Sequence, residues 1–210
     1  MAIKSQGARI QVATASGTAV NITGATQANP VVITSSSHGQ ANGTVGVITG
    51  VGGMTQLNNR AFIVANTATN TFELRGVNGT GYSAYTSGGT FTPQTMTTIG
   101  EVRSFSGFDG EASELDATHL LSLGKEWLLG LQDPGSGTLN VFYISDAGQT
   151  RLRALKESGN AAAFTITFSD GRMIAFMALV KSFTIENVEP DNIVMSTVSL
   201  RITNAESGHA

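Results

Sequence analysis

The chain has 210 residues and a formal net charge of -3, from 12 basic and 15 acidic side chains, with 40% hydrophobic and 13% charged residues. That balance excludes a disordered chain and supplies enough apolar surface for a buried core, and the lack of a basic excess argues against a protein that grips nucleic acid. There is no cysteine, which excludes disulfide staples and thiolate metal sites.

No apolar stretch follows Lys4, so no signal peptide is expected. Residues 8–13 read as a first strand. From about Gly24 to Phe91 the composition shifts to Gly, Thr, Asn and Ser with almost no charge, and glycine pairs punctuate it, the pattern of a small β-module. Four short strands are predicted inside it, at residues 31–34, 44–49, 60–65 and 71–74, with Phe62, Val64, Phe72 and Leu74 in its core. The Asn-x-Thr triplets at Asn21, Asn42 and Asn78 read as turns rather than glycosylation sites.

Beyond this block the strands lengthen. Leu139, Val141 and Tyr143 alternate, as do Phe164, Ile166 and Phe168, and then Val194, Val198, Leu200 and Ile202. One buried face per strand is the mark of a sandwich. Residues 173–180 form the longest apolar run, far short of the ~20 residues that span a bilayer as a helix; they read as a buried strand, and no membrane partner is expected. Ser169-Asp-Gly-Arg172 and Glu189-Pro-Asp-Asn192 are turn signals that imply antiparallel neighbours. One helix is predicted between Asp146 as N-cap and Gly159 as stop, with Leu152 and Leu155 on one face. The fold class is therefore all-β with one short helix: an antiparallel β-sandwich over residues 1–23 and 92–210, with a small β-domain inserted at residues 24–91.

Nothing in the chain assembles a catalytic, cofactor or metal site. His38, His119 and His209 are scattered and form no ligand cluster. Ser122-Leu-Gly-Lys125 matches a Ser-x-x-Lys pattern but stands alone, and the glycines at 50–53 and 76–81 lack the Lys-Ser/Thr ending of a phosphate cradle. Asp109, Glu111, Glu114 and Asp116 place four carboxylates in eight residues without an intervening base. A calcium loop needs a wider ligand pattern, so an interface segment is favoured. The apolar run Trp127, Leu128, Leu129 and Leu131 fits either an edge strand with one buried face or an anchor between subunits. Arg151, Arg153 and Lys156 make one side of the helix basic, either as a solvated face or as a contact.

Two stretches resemble the tail tube family of non-contractile, lambda-like bacteriophages. One is Ile99-Gly-Glu-Val-Arg-Ser-Phe-Ser-Gly-Phe108 with the acidic segment ending Leu115-Asp-Ala-Thr-His119; the other is Glu126-Trp-Leu-Leu-Gly-Leu-Gln-Asp133 running into the strand at 138–144. The likeness covers about residues 3–23 and 96–203. The internal block separately resembles a small β-module spliced into phage virion proteins and similar in fold to a half-domain of ubiquitin-activating enzymes, through Asn29-Pro-Val-Val-Ile33, Gly53-Met-Thr-Gln-Leu-Asn58, Asn70-Thr-Phe-Glu-Leu74 and Gly79-Thr-Gly-Tyr82. With no cysteine, none of that activating chemistry carries over.

The resemblance implies a structural virion protein, not an enzyme and without cofactor. It implies subunits closing into hexameric rings that stack into a tube for DNA, assembled in the host cytoplasm. The implied partners are further copies of the chain, tape measure and terminator proteins, and DNA passing without specific binding. The contact candidates are Asp109, Glu111, Glu114, Asp116, Trp127, Leu129 and Leu131. Arg151, Arg153 and Lys156 are expected off the inner wall, and the 24–91 block is expected to project outward and be dispensable for polymerisation. The competing readings are another tail component of the same fold, such as a terminator or a contractile-tail tube, and a carbohydrate-binding or adhesion module resting on Tyr82 and Tyr85.

Overall fold

The computed structural model describes residues 6–204 and 207–208, apart from the side chains of Phe108 and Asp109. The chain opens with β1 (Arg9–Ser16), β2 (Val20–Asn21) and β3 (Gly24–Ala25), followed by β4 (Val32–Thr34), β5 (Val45–Thr49), β6 (Arg60–Ala65) and β7 (Thr71–Leu74). A long β8 (Thr90–Thr98) leads into β9 (Val102–Asp109), β10 (Ala112–Asp116), β11 (Trp127–Gln132) and β12 (Ser136–Phe142). Then come α1 (Ala147–Ser158), β13 (Ala162–Thr167), β14 (Met173–Glu186) and β15 (Met195–Ile202). The predicted helix and all four short strands of the internal block are present.

Among the described residues thirteen strands form one continuous sheet, along the path β3-β4-β7-β6-β5-β8-β1-β13-β14-β15-β12-β9 with β2 on β8; β10 and β11 pair apart from it. Every described pairing is antiparallel. The sheet curls back on itself: Ile10 on β1 and Val102 and Phe105 on β9, far apart along the path, line one cleft. Inward residues of β1, β12, β13, β14 and β15, among them Ile10, Leu139, Phe164, Phe176 and Leu200, form the first core, which Leu152 and Leu155 of α1 close. A second core, with Phe62, Phe72, Phe91, Ile33, Leu57 and Leu74, fills the region of residues 22–91. Gly46 is there because a Cβ would lie 2.2 Å from the Phe91 ring.

α1 begins where Asp146 Oδ1 accepts the Gln149 amide (2.7 Å) while its other oxygen accepts the Gly100 amide (2.7 Å). The fully buried Gln149 side chain does not return to the cap. It donates to Phe142 O (2.8 Å) and Gly100 O (3.2 Å) and accepts from the Ile144 amide (3.2 Å), tying three segments together. The helix ends at Gly159, whose φ of +66° is left-handed and whose amide caps Leu155 O.

The expectation of one buried face per strand is corrected for β13. All six of its residues are buried, because β5 and β6 cover the face turned away from the first core: Ala13, Ala163 and Ala175 meet Val45, Ala61 and Ile63 in a third core. The alternating threonines Thr165 and Thr167 are buried along with Phe164 and Ile166, and Thr165 donates to Gln11 Oε1 (3.4 Å), so polar alternation here does not mark an exposed face. β8 is shared between the two regions. Its residues 90–93 pair with β5 and 94–98 with β1, so the strand runs unbroken across the boundary expected at residues 91 and 92.

Candidate functional site

The hairpin β10–β11 carries most of the candidate contact residues. Glu114 lies opposite Leu129, Leu115 opposite Leu128, and Asp116 opposite Trp127, with a bulge between Ala112 and Glu114. Direct cross-strand partners share a face. One face therefore presents Glu114, Asp116, Trp127 and Leu129, and the other presents Leu115 and Leu128. At the turn, Asp116 Oδ1 accepts the Thr118 amide (2.9 Å), Thr118 Oγ1 accepts the Glu126 amide (3.1 Å), and the Ala117 amide donates to Glu126 O (2.9 Å). Lys125 pairs with Asp116 at 3.7 Å and lies 5.2 Å from the Trp127 ring centre. The Thr118 hydroxyl and amide, then Lys125, hold the Asp116 carboxyl below its ordinary value. At the base, Asp133 accepts the Gly135 amide (2.8 Å) and Arg201 (2.7 Å), and these two in that order lower its pKa as well.

The turn is built, yet it covers nothing apolar. Leu120, Leu121 and Leu123 stand almost wholly in solvent, the least exposed being Leu121 at 86%, and Trp127, Leu128, Leu129 and Leu131 are more than half exposed. An isolated two-stranded hairpin is marginal in water, and large apolar side chains gathered in the open on one arm are characteristic of interaction or aggregation-prone surfaces. The alternative of an edge strand with one buried face is thereby corrected: among the described residues β11 pairs only with β10, and both faces are open. Glu111, Glu114 and Asp116 are exposed on the same arm; the Asp109 side chain lies outside the described residues. The residues that sequence reasoning passed over are the three tip leucines, whose signal was a Leu-Leu-x-Leu run inside a polar loop. A second exposed group, Ile185, Val188 and Ile193, surrounds the β14–β15 turn. All twelve large hydrophobics exposed among the described residues lie between Leu115 and Ile193, and none falls in the 24–91 block.

A different surface spans β9, β12, β15 and β14. Ser104 and Ser106, Thr138 and Asn140, Thr197 and Ser199, and Thr184 align across the four strands on the side opposite the first core. Asn140 donates to Ser104 Oγ (3.0 Å) and accepts from Thr197 (3.0 Å). The middle of this face is polar and uncharged, while the same register places Arg201 opposite Ser136 and Glu186 opposite Met195 at its ends.

The basic side of α1 is largely occupied within the subunit. Arg151 donates to Ala13 O (3.0 Å), and the Arg153 guanidinium lies 4.8 Å from the Tyr143 ring centre and 5.2 Å from that of Phe183; Lys156 is exposed. His38 is a packing residue: its Nδ1 accepts the Gln40 amide (3.0 Å), which leaves Nε2–H to donate to Thr71 O (3.2 Å), and its ring meets Phe72 edge-on. His119 caps the hairpin turn through the Leu121 amide, and His209 lies outside the described residues. Ser122 Oγ accepts the His119 amide (3.1 Å) while Lys125 turns to Asp116. Among the described residues no three His, Asp or Glu side chains group as a metal requires. Tyr82 and Tyr85 are half-buried against the second core, and Tyr85 donates its hydroxyl to Ile22 O or Gly88 O (both 3.1 Å). They form no open aromatic platform.

The fold is an antiparallel β-structure with one helix and an arm whose apolar side chains stand open to solvent. Residues 78–188 match the family model described as phage tail tube, lambda-like; the match takes in just over half of the chain, which belongs to the lambda-like phage tail tube family. It is a structural component of the phage virion. Residues 28–95 match the ubiquitin-activating enzyme E1 FCCH domain. No curated relative matches the chain. Similar solved structures include the virion of a native gene transfer agent particle (TM-score 0.48, 18% identity, 55% of this chain and 89% of that one) and the tail of an empty gene transfer agent particle with C6 symmetry (0.48, 18%, 55% and 87%). The SPP1 tail tube is a third (0.46, 14%, 55% and 69%). At these scores the assignment rests on the family match.

Proposed function

We propose that this chain polymerises into rings, six subunits to a ring, which stack into the tail tube through which DNA passes. The observation that carries this is the β10–β11 arm, whose apolar side chains are uncovered in the single subunit and whose carboxylates Glu111, Glu114 and Asp116 make it an oriented contact rather than a greasy patch. The arm reaches a neighbouring subunit or ring through Trp127, Leu129, Leu131 and the tip leucines. Among the described residues β9 ends the sheet path with a single neighbour, and its outer edge pairs with the next subunit; an open edge is a hazard in a monomer and glue in a polymer.

The DNA channel is lined by the Ser/Thr/Asn face of β9, β12, β15 and β14. A wall of lysines and arginines would hold phosphates through counterion release, whereas the hydroxyls and amide in the middle of this face let the duplex slide, with Arg201 at its margin paired to Asp133. α1 lies on the opposite side of that sheet, in the first core, which keeps Arg151, Arg153 and Lys156 off the channel. Residues 24–91 form an inserted module on the tube exterior, in keeping with a surface that exposes no large hydrophobic side chain. The role is mechanical, with no catalytic step. Tape measure and terminator proteins are the other tail partners, and assembly takes place in the host cytoplasm. Negative-stain electron microscopy of the purified protein tests this: long tubes of uniform diameter are expected, single rings that never stack would indicate a terminator, and a protein that stays monomeric at high concentration would overturn the reading.

A further inference from the structure

After β15 the described residues 203, 204, 207 and 208 stay with the sheet. The Thr203 amide donates to Met177 O (2.9 Å), and Ser207 exchanges two backbone hydrogen bonds with Ala175 (2.8 and 2.9 Å), so this segment pairs with the first half of β14. The same segment also reaches the neighbourhood of β6. Ser207 Oγ donates to Ala61 O (2.7 Å) and Asn204 Nδ2 donates to Asn59 O (2.8 Å). Ser207 is only 2% exposed. Gly208, at φ +105°, is wedged in the same seam: a Cβ there would lie 2.5 Å from Met173 O and 2.6 Å from Ile63 Cδ1. Directly beneath lies the third core, where Ala13, Ala163 and Ala175 on one layer face Ala61 on the other. Side chains this small let two sheet layers approach closely enough for one hydroxyl to bridge them.

We infer that Thr203, Asn204, Ser207 and Gly208 form a clamp that locks the 24–91 region onto the β1–β13–β14 layer, so that the region projects as a rigid arm in fixed register with its subunit. Without the clamp, the remaining ties are the chain connections at β8 and after β1 and the packing of the third core, which by themselves leave the β6 edge of the seam unlatched. The segment satisfies both layers at once, through backbone pairing on β14 and side-chain donors on the β6 side. This holds for the single subunit, whether or not it polymerises.

Hydrogen exchange of the full-length protein, read by mass spectrometry, tests the clamp. In the double variant Asn204→Ala, Ser207→Ala, exchange across residues 60–65 is expected to rise about tenfold, the effect of losing roughly 1.4 kcal/mol of side-chain hydrogen bonding, while β12 and β15 keep their protection. Gly208→Val is expected to give the same pattern by forcing the segment out of the seam. An unchanged rate in β6, or a rise shared equally by β12 and β15, would overturn the inference, as would a wild-type β6 that already exchanges tenfold faster than the first half of β14.

Discussion

Trp127 is the only tryptophan in the chain and sits on the exposed arm beside Lys125, which makes it both a proposed contact residue and a built-in reporter. Replacing it together with its cross-strand partner, as Trp127→Ala with Asp116→Ala, is expected to abolish tube formation while leaving the monomer melting temperature almost unchanged, because neither side chain belongs to a core. Sedimentation and a thermal melt on the same samples check this; tubes that survive remove the arm from assembly. The arm is also expected to be acid-sensitive. Asp116 and Asp133 both titrate below their ordinary value of 3.8, so each favours the folded arm above that pH, and its contribution is lost as pH falls through the lower folded value. Trp127 fluorescence should hold steady at neutral pH and change below about pH 3.8. In Asp133→Asn the part of that change arising at the hairpin base should vanish, and an identical titration curve would show that the Arg201 contact does not steady the arm.

Among the elements, α1 depends on a few polar atoms as much as on its apolar stripe. Asp146→Ala removes the N-cap and the bond to Gly100, and is expected to cost about 1–2 kcal/mol in denaturant unfolding. Gln149→Ala is expected to cost more, about 3 kcal/mol, because it strands two carbonyls and an amide in the interior. Equal effects would mean that the Gln149 bonds are replaced by water. Asp146 followed by Gln149 reads in sequence as a capping pair, and the amide half of that pair is present. The side chain instead serves Gly100 and Phe142, partners 49 and 7 residues away, which no local pattern encodes. The same limit applies to β11. Trp-Leu-Leu-x-Leu gives its apolar character, but whether a sheet layer covers one face depends on where the rest of the chain goes.

For the whole molecule, the decisive question is what removal of residues 24–91 leaves behind. The third core shows that a bare deletion uncovers Met96, Met173 and Met177 along with the alanines. Joining Ser16 to Gln94, which are paired across β1 and β8, by a short Gly-Ser turn widens the deletion to residues 17–93 and keeps the hairpin register. With Met96→Thr, Met173→Thr and Met177→Thr added, the shortened chain is expected to stay soluble and form tubes of smaller outer diameter. Soluble, folded protein that forms no tubes would show the module to be part of the assembly contact. The same deletion without the three substitutions is expected to aggregate, since it leaves a fresh apolar face on β13 and β14.

Local chemistry was enough to place α1 between Asp146 and Gly159, the turns at Ser169–Arg172 and Glu189–Asn192, and the four short strands of the internal block, because caps, turn residues and alternation act over a few residues. It also marked the Asp109–Leu131 segment as unusual, since carboxylates beside an apolar run conflict with any simple strand. Only the tertiary structure decided that β13 is buried on both faces, that β8 serves two regions at once, and that the chain returns after β15 to hold β6. Each of these joins residues tens to more than a hundred positions apart, such as Ser207 and Ala61. The free energy that selects them is the burial of one layer against another, which depends on where every other layer has gone and leaves no periodic trace in the residues themselves.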